Sequence, residues 1–175
     1  LTSGYNNRDG QALLFVVNAY TGAFLDTINT GVGSAATPSG LAKISAHSVT
    51  SQTNNTTSAA YGGDMLGNLW RFDINGDIGA AGKDAHLLVS LKDALGDPQP
   101  ITAKPVVATI NGSPVITVGT GSYLGVSDVS STTKQSMYSV KDKLNTVTFD
   151  NPRETDSGFV KQTLVADTCD EGMTG

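Results

Sequence analysis

The sequence predicts an all-β protein made of short antiparallel strands, and three observations carry that expectation. Of 175 residues, 20 are Gly and only 15% are charged, with Thr, Ser and Val abundant, a usage that favours turns and strands over helices. Two β-branched runs, VVATI and SPVITVG, are joined by Asn111-Gly112, the pair preferred in tight hairpin turns. No segment carries a long apolar stripe at helical spacing, and short strands without helices between them pair antiparallel.

The elements follow in order. ALLFVV, residues 12 to 17, is followed by NAYTG and AFLDTI, which read as strand, turn and strand, with Thr21-Gly22 making the reversal. From Gly31 to Thr57 the chain is mostly Gly, Ser, Thr, Ala and Asn, interrupted by GLAKI, and reads as loop; SQTNNTTS is its least ordered part. SAAYGGD leads into NLWRFDI, where Leu69, Arg71 and Asp73 alternate with Trp70, Phe72 and Ile74 as on a strand with one buried face. HLLVSL, residues 86 to 91, is a further strand. Pro114 lacks a donor and is expected near a strand start or at an edge. SMYSV and TVTF supply two more short strands.

Three stretches then line up. GYNNRDGQALLFVVNAYTG, GGDMLGNLWRFDING and GTGSYLG with SMYSVKD each open on glycines and a polar residue, pass a turn, and end in a strand with an early aromatic: Phe15, Trp70 and Tyr138. Their spacing is wider than the roughly 40 to 50 residues of a plain propeller blade and fits blades with inserted loops. A blade cannot bury both faces alone, so blades stack about an axis. Trp70 and Phe72 are then packing between blades, with the glycines serving turns. The expected organisation is a partial, about three-blade β-propeller over residues 1–144, with units about 4–30, 58–92 and 104–142. Residues 145–175 form a poorly patterned tail or the start of a further blade.

Composition also excludes partners. The formal charge is −5 with no basic cluster, so nothing neutralises a run of phosphates, and nucleic acid is not expected. Cys169 is the only cysteine, which rules out an internal disulfide and paired-cysteine metal or redox motifs. The chain starts at Leu1 and has neither a signal peptide nor an 18-residue apolar run. A piece of a longer, secreted protein is expected.

The stretch Tyr61 to Asp73 reads Y-x-G-D-x-x-G-N-L-W-R-F-D. It resembles the signature of the C-terminal propeller in the PilY-type (PilC/PilY) tip adhesins of bacterial type IV pili. ALLFVVNAYTG with SGLA, and QPITAKPVV, ITVGTGSYLGVSD and KQSMYSV, extend the resemblance over about residues 4 to 142. The resemblance implies a modified quinoprotein-like propeller in a large secreted protein at the pilus tip and outer-membrane surface. Such a protein supports pilus assembly, restrains retraction, and contributes to adhesion and twitching motility, with minor pilins and host or abiotic surfaces as partners. The runner-up is an extracellular propeller that binds carbohydrate or a surface receptor outside any pilus. A degenerate quinone-dependent dehydrogenase comes third.

Candidate chemistry is sparse, and no catalytic, cofactor-binding or metal residue is assigned. Asn18-Ala-Tyr-Thr-Gly resembles a worn form of the D-A-x-T-G docking turn of quinone enzymes, but the paired cysteines and clustered acids of those enzymes are missing. Members of the resembled family carry an acidic calcium loop before the Y-x-G-D stretch; here Thr50, Gln52, Asn54 and Ser58 stand at its acidic positions. Ca²⁺ requires anionic oxygens, so that loop is expected to hold none. Asp73, Asn75, Asp77 and Asp84 fall at EF-type spacing, but Ile78 occupies the position that needs Gly, and an ordinary Asn-Gly turn is expected. Asp64 reads as a turn acid bonded to its own backbone. His47 and His86 have no ligand partners at metal spacing, and the hydrolase, zincin and phosphate-loop motifs are absent.

Overall fold

The computed structural model describes residues 1–48, 52–76, 78 and 84–165. Thr50, Asp77 and Cys169, which figured in the calcium and cysteine readings, lie outside the described residues. The described strands are β1 (Leu13–Val17), β2 (Phe24–Asn29), β3 (Leu41–His47), β4 (Ala59–Asp64), β5 (Asn68–Asp73), β6 (Ala85–Ser90), β7 (Val106–Ile110), β8 (Ser113–Gly119) and β9 (Met137–Lys141). They form three antiparallel sheets in the orders β1-β2, β3-β4-β5-β6 and β7-β8-β9.

Local turn chemistry sets the hairpins. Asn111 and Gly112 take φ of 51° and 75° and join β7 to β8 through the pair Ile110 and Ser113, as a primed two-residue turn requires. At the β1–β2 turn, the Asn18 side chain accepts from the Tyr20 and Thr21 amides and Gly22 closes back on the Asn18 carbonyl. Pro114 is the second residue of β8, near its start, although β8 is the central strand of its sheet.

The middle sheet is packed on both sides. On one face Leu41, Ala60, Trp70 and Phe72 join Leu14 and Ile28 of the first sheet. On the other, Tyr61, Leu69 and Val89 join Ile116, Val118 and Val140 of the third. That double burial overturns three expectations. The stretch 31–57 is not loop throughout, because GLAKI opens β3, which pairs with β4 and commits Leu41 to the first interface. Strand β5 does not have one wet face, since Arg71 and Asp73 are as buried as Leu69 and Phe72. TVTF is not a strand: Phe149 makes a single parallel bridge to Val89.

The glycines of YGGD also act otherwise than as turns. They lie inside β4, every residue of which is buried. A Cβ on Gly62 would stand 2.8 Å from Leu41, and one on Gly63 would stand 2.2 Å from Ile101 Cγ2. Gly62 makes room for the Leu41 and Ile44 side chains of the adjacent strand β3, and Gly63 lets Ile101 approach the backbone. Gly63→Ala is therefore expected to destabilise the chain by about 1–3 kcal/mol through overpacking, read as a lower denaturant midpoint; an unchanged midpoint would place Ile101 elsewhere.

Candidate functional site

The polar groups that the fold gathers are in the interfaces between sheets. Asp64 ends β4 and is fully buried. Its Oδ1 accepts from the Leu66 and Asn68 amides, and its Oδ2 accepts from Asn68 Nδ2 and Trp70 Nε1, all at 2.9 Å. Burial pushes its pKa up and the four donors pull it back. The carboxylate thus closes the β4–β5 turn and fixes the indole of Trp70 in the first interface, which is a structural task.

In the second interface stands a cluster that the alternating pattern of β5 concealed. Arg71 Nη1 donates to both oxygens of Asp142, at 2.9 and 3.1 Å, and Nη2 donates to the Asn145 carbonyl at 2.9 Å. Tyr61 Oη donates to Asp142 Oδ2 at 2.9 Å, and the Leu144 amide donates to Oδ1 at 2.8 Å. Both charged side chains are almost fully shielded from water. Burial above all, then the charge of Asp142 and its hydrogen bond, raise the Tyr61 pKa, and Arg71 acts the other way. Tyr61 therefore stays protonated and remains a donor.

A signal for this cluster was present in the repeat. Strands β1, β5 and β9 run into Asn18, Asp73 and Asp142, and in each case a side-chain oxygen accepts from a backbone amide of the following turn. Two positions before those residues stand Val16, Arg71 and Val140. A charge where the other repeats have valine marks a position needing a partner.

The remaining candidates are dispersed. Asp73 spends its oxygens on the Gly76 and Ile78 amides, while its own amide bonds the Asp84 carbonyl. Asn54 accepts from the Thr56 amide and hydroxyl, and Ser58 donates to the His47 carbonyl. Among the described residues no three His, Cys, Asp or Glu gather at metal-binding distance. His86 contacts the Val147 carbonyl. Phe15 packs edge-on against Phe24 outside the buried clusters, whereas Tyr138 borders the second interface and donates to Gln99.

His47 lies beside Tyr61, with ring centroids 6.4 Å apart. Burial lowers its pKa and Asp142 partly opposes that. The folded state thus prefers the neutral ring, so its contribution is complete above the ordinary histidine value near 6.5 and is lost progressively as pH falls from there toward the lowered one. His47→Gln is expected to reduce the loss of melting temperature between neutral and mildly acidic pH; an identical loss in both proteins would contradict this.

A family model described as the PilY1 beta-propeller domain matches residues 1–171. A type IV pilus biogenesis factor PilY1 homolog of Xylella fastidiosa is 32% identical over 154 residues, covering 84% of this chain and 11% of its own length. The type IV pilus biogenesis factor PilY1 of Pseudomonas aeruginosa is 28% identical over 188 aligned positions, covering 93% of this chain and 16% of its own. The crystal structure of the Pseudomonas aeruginosa PilY1 C-terminal domain superposes with a TM-score of 0.68 at 25% identity, over 81% of this chain and 33% of that one. The chain thus spans a small part of its curated relatives and about a third of the solved domain. With the antiparallel sheets stacked through buried interfaces and a family model matching nearly the whole sequence, the chain belongs to the PilY1 β-propeller domain family.

Proposed function

We propose that this chain is a propeller segment of a type IV pilus biogenesis factor and acts without catalysis, as a rigid scaffold that docks pilus-tip components. The observation that carries the reading is the family match over residues 1–171. The chemistry of the polar groups supports it, because Asp64, Arg71, Asp142 and Tyr61 are spent on one another and on the backbone. Minor pilins or other tip components are the proposed partners, and the proposed location is outside the cell at the pilus tip. Among the described residues no helix is long and apolar enough to cross a membrane. In this role the protein supports pilus assembly, twitching motility and attachment to host or abiotic surfaces.

One feature favours the receptor-binding reading as a second account. The loop between β8 and β9 exposes Tyr123, Leu124, Val126 and Val129, on a turn held by Asp128, which accepts from Ser122 Oγ and the Leu124 and Gly125 amides. Surface loops on a rigid sheet scaffold commonly carry recognition.

In-frame deletion of the region encoding this chain tests the assembly role. Fewer surface pili and smaller twitching zones are expected. Normal piliation and motility, with reduced attachment, would leave the receptor-binding account.

A further inference from the structure

The segment after β9 leaves its own sheet and crosses to the middle one. Past Asp142 the Asn145 carbonyl takes a hydrogen bond from Arg71. The Val147 carbonyl then meets His86, Thr148 Oγ1 donates to the Leu87 carbonyl, and the Phe149 amide donates to the Leu88 carbonyl. Arg153 finally bonds the Lys92 carbonyl through Nε and Ser136 Oγ through Nη2. Residues 147–149 therefore run along the outer edge of β6, between a bond from Arg71 to Asn145 at one end and the bonds of Arg153 to Lys92 and Ser136 at the other.

The segment's two ends are held in different ways. Residues 145–148 are exposed, and Leu144 and Phe149 on either side of them are half-buried against the second interface. A segment with few buried apolar contacts and mostly exposed hydrogen bonds opens at lower free energy than the sheets beneath it. At the other end, one buried guanidinium holds both Asp142 and the Asn145 carbonyl. Among the described residues, Arg71 Nε has no acceptor. An unpaired buried donor is costly, so the closed arrangement is less favourable than a fully bonded one.

The geometry points to a releasable strap: residues 145–153 peel from β6 as a unit while the three sheets stay folded and Asp142 keeps its bond to the Pro114 carbonyl, with the Nη2 of Arg71 as the pin on Asn145. Release uncovers the Leu87 and Leu88 carbonyls at the outer edge of β6. This is a property of the chain itself and stands apart from the pilus role.

Hydrogen exchange on the 175-residue chain, resolved by residue, tests it. In the wild type the amide of Phe149, bonded to the Leu88 carbonyl, should exchange faster than those of β4, β5 and β8. Arg71→Lys keeps a charge for Asp142 but not the fork that also reaches Asn145. It should speed exchange across 145–153 about tenfold or more, with the sheets unchanged. If that variant fails to fold, Thr148→Val with Arg153→Ala loosens only the far end and should give the same local acceleration. Strap amides that exchange only at the rate of the sheets, or an acceleration spread evenly over all of them, would overturn the proposal.

Discussion

Trp70→Ala will lower the unfolding free energy by about 3–5 kcal/mol, the range for removing a large aromatic from a packed core. The indole is 4% exposed and sits with Leu14 and Ile28 of one sheet and Leu41, Ala60 and Phe72 of the next, so no side chain can close the space without moving a whole layer. The substitution also strips Asp64 of its Trp70 donor. Trp70→Phe separates the two effects, since it keeps most of the apolar volume but leaves a buried carboxylate oxygen short of a partner, a loss of about 1–3 kcal/mol. Urea midpoints of the three proteins are the readout. A change below about 1 kcal/mol for Trp70→Ala would mean that the ring does not join the sheets.

Asp142→Ala is the second large effect, expected at about 3–5 kcal/mol because it leaves a buried guanidinium without its counter-charge. Tyr61 Oη and the Leu144 amide lose their acceptor as well. Removing the whole cluster should be far milder than removing this one member, because buried ion pairs replaced by apolar groups of similar volume are often neutral or stabilising. The triple variant Arg71→Met, Asp142→Leu, Tyr61→Phe is therefore expected to recover most of the loss. Denaturation of the single and triple variants decides the matter: a triple loss equal to the sum of three independent single losses would show that these groups do not act together.

How much of this the sequence disclosed depended on the range of the interaction. Asn111-Gly112 and Thr21-Gly22 were legible because a primed turn or a glycine reversal is decided by two or three consecutive residues. Trp70 was legible because the alternation along NLWRFDI set a large aromatic on a face that needs a neighbouring sheet, although its bond to Asp64 was not. Strand β3 was not, since its apolar content is thin and its reason for being extended is pairing with β4, beyond a polar loop. The role of Gly62 and Gly63 was misread for a related reason. A glycine in a turn and one under a neighbouring side chain look alike until Leu41 and Ile101 are placed.

Arg71 was hidden most fully. Alternation along a strand assigns a charged residue to water, and its partner is 71 residues away. The family resemblance located the propeller but did not reveal that one joint between its sheets holds a buried ion pair while the other, among the described residues, holds none. A buried pair that matches only one neighbour is a means of specifying order at some cost in stability, a role attested for buried polar groups elsewhere.

The central claim is that β5 is enclosed between two other sheets, and the chain carries one Trp with which to test it. The intrinsic fluorescence of the folded protein, titrated with iodide, reports on Trp70 alone. A blue-shifted emission that resists quenching until the chain is unfolded is the predicted result. Red-shifted emission quenched as readily as in denaturant would place Trp70 in water and contradict the stacking of the sheets.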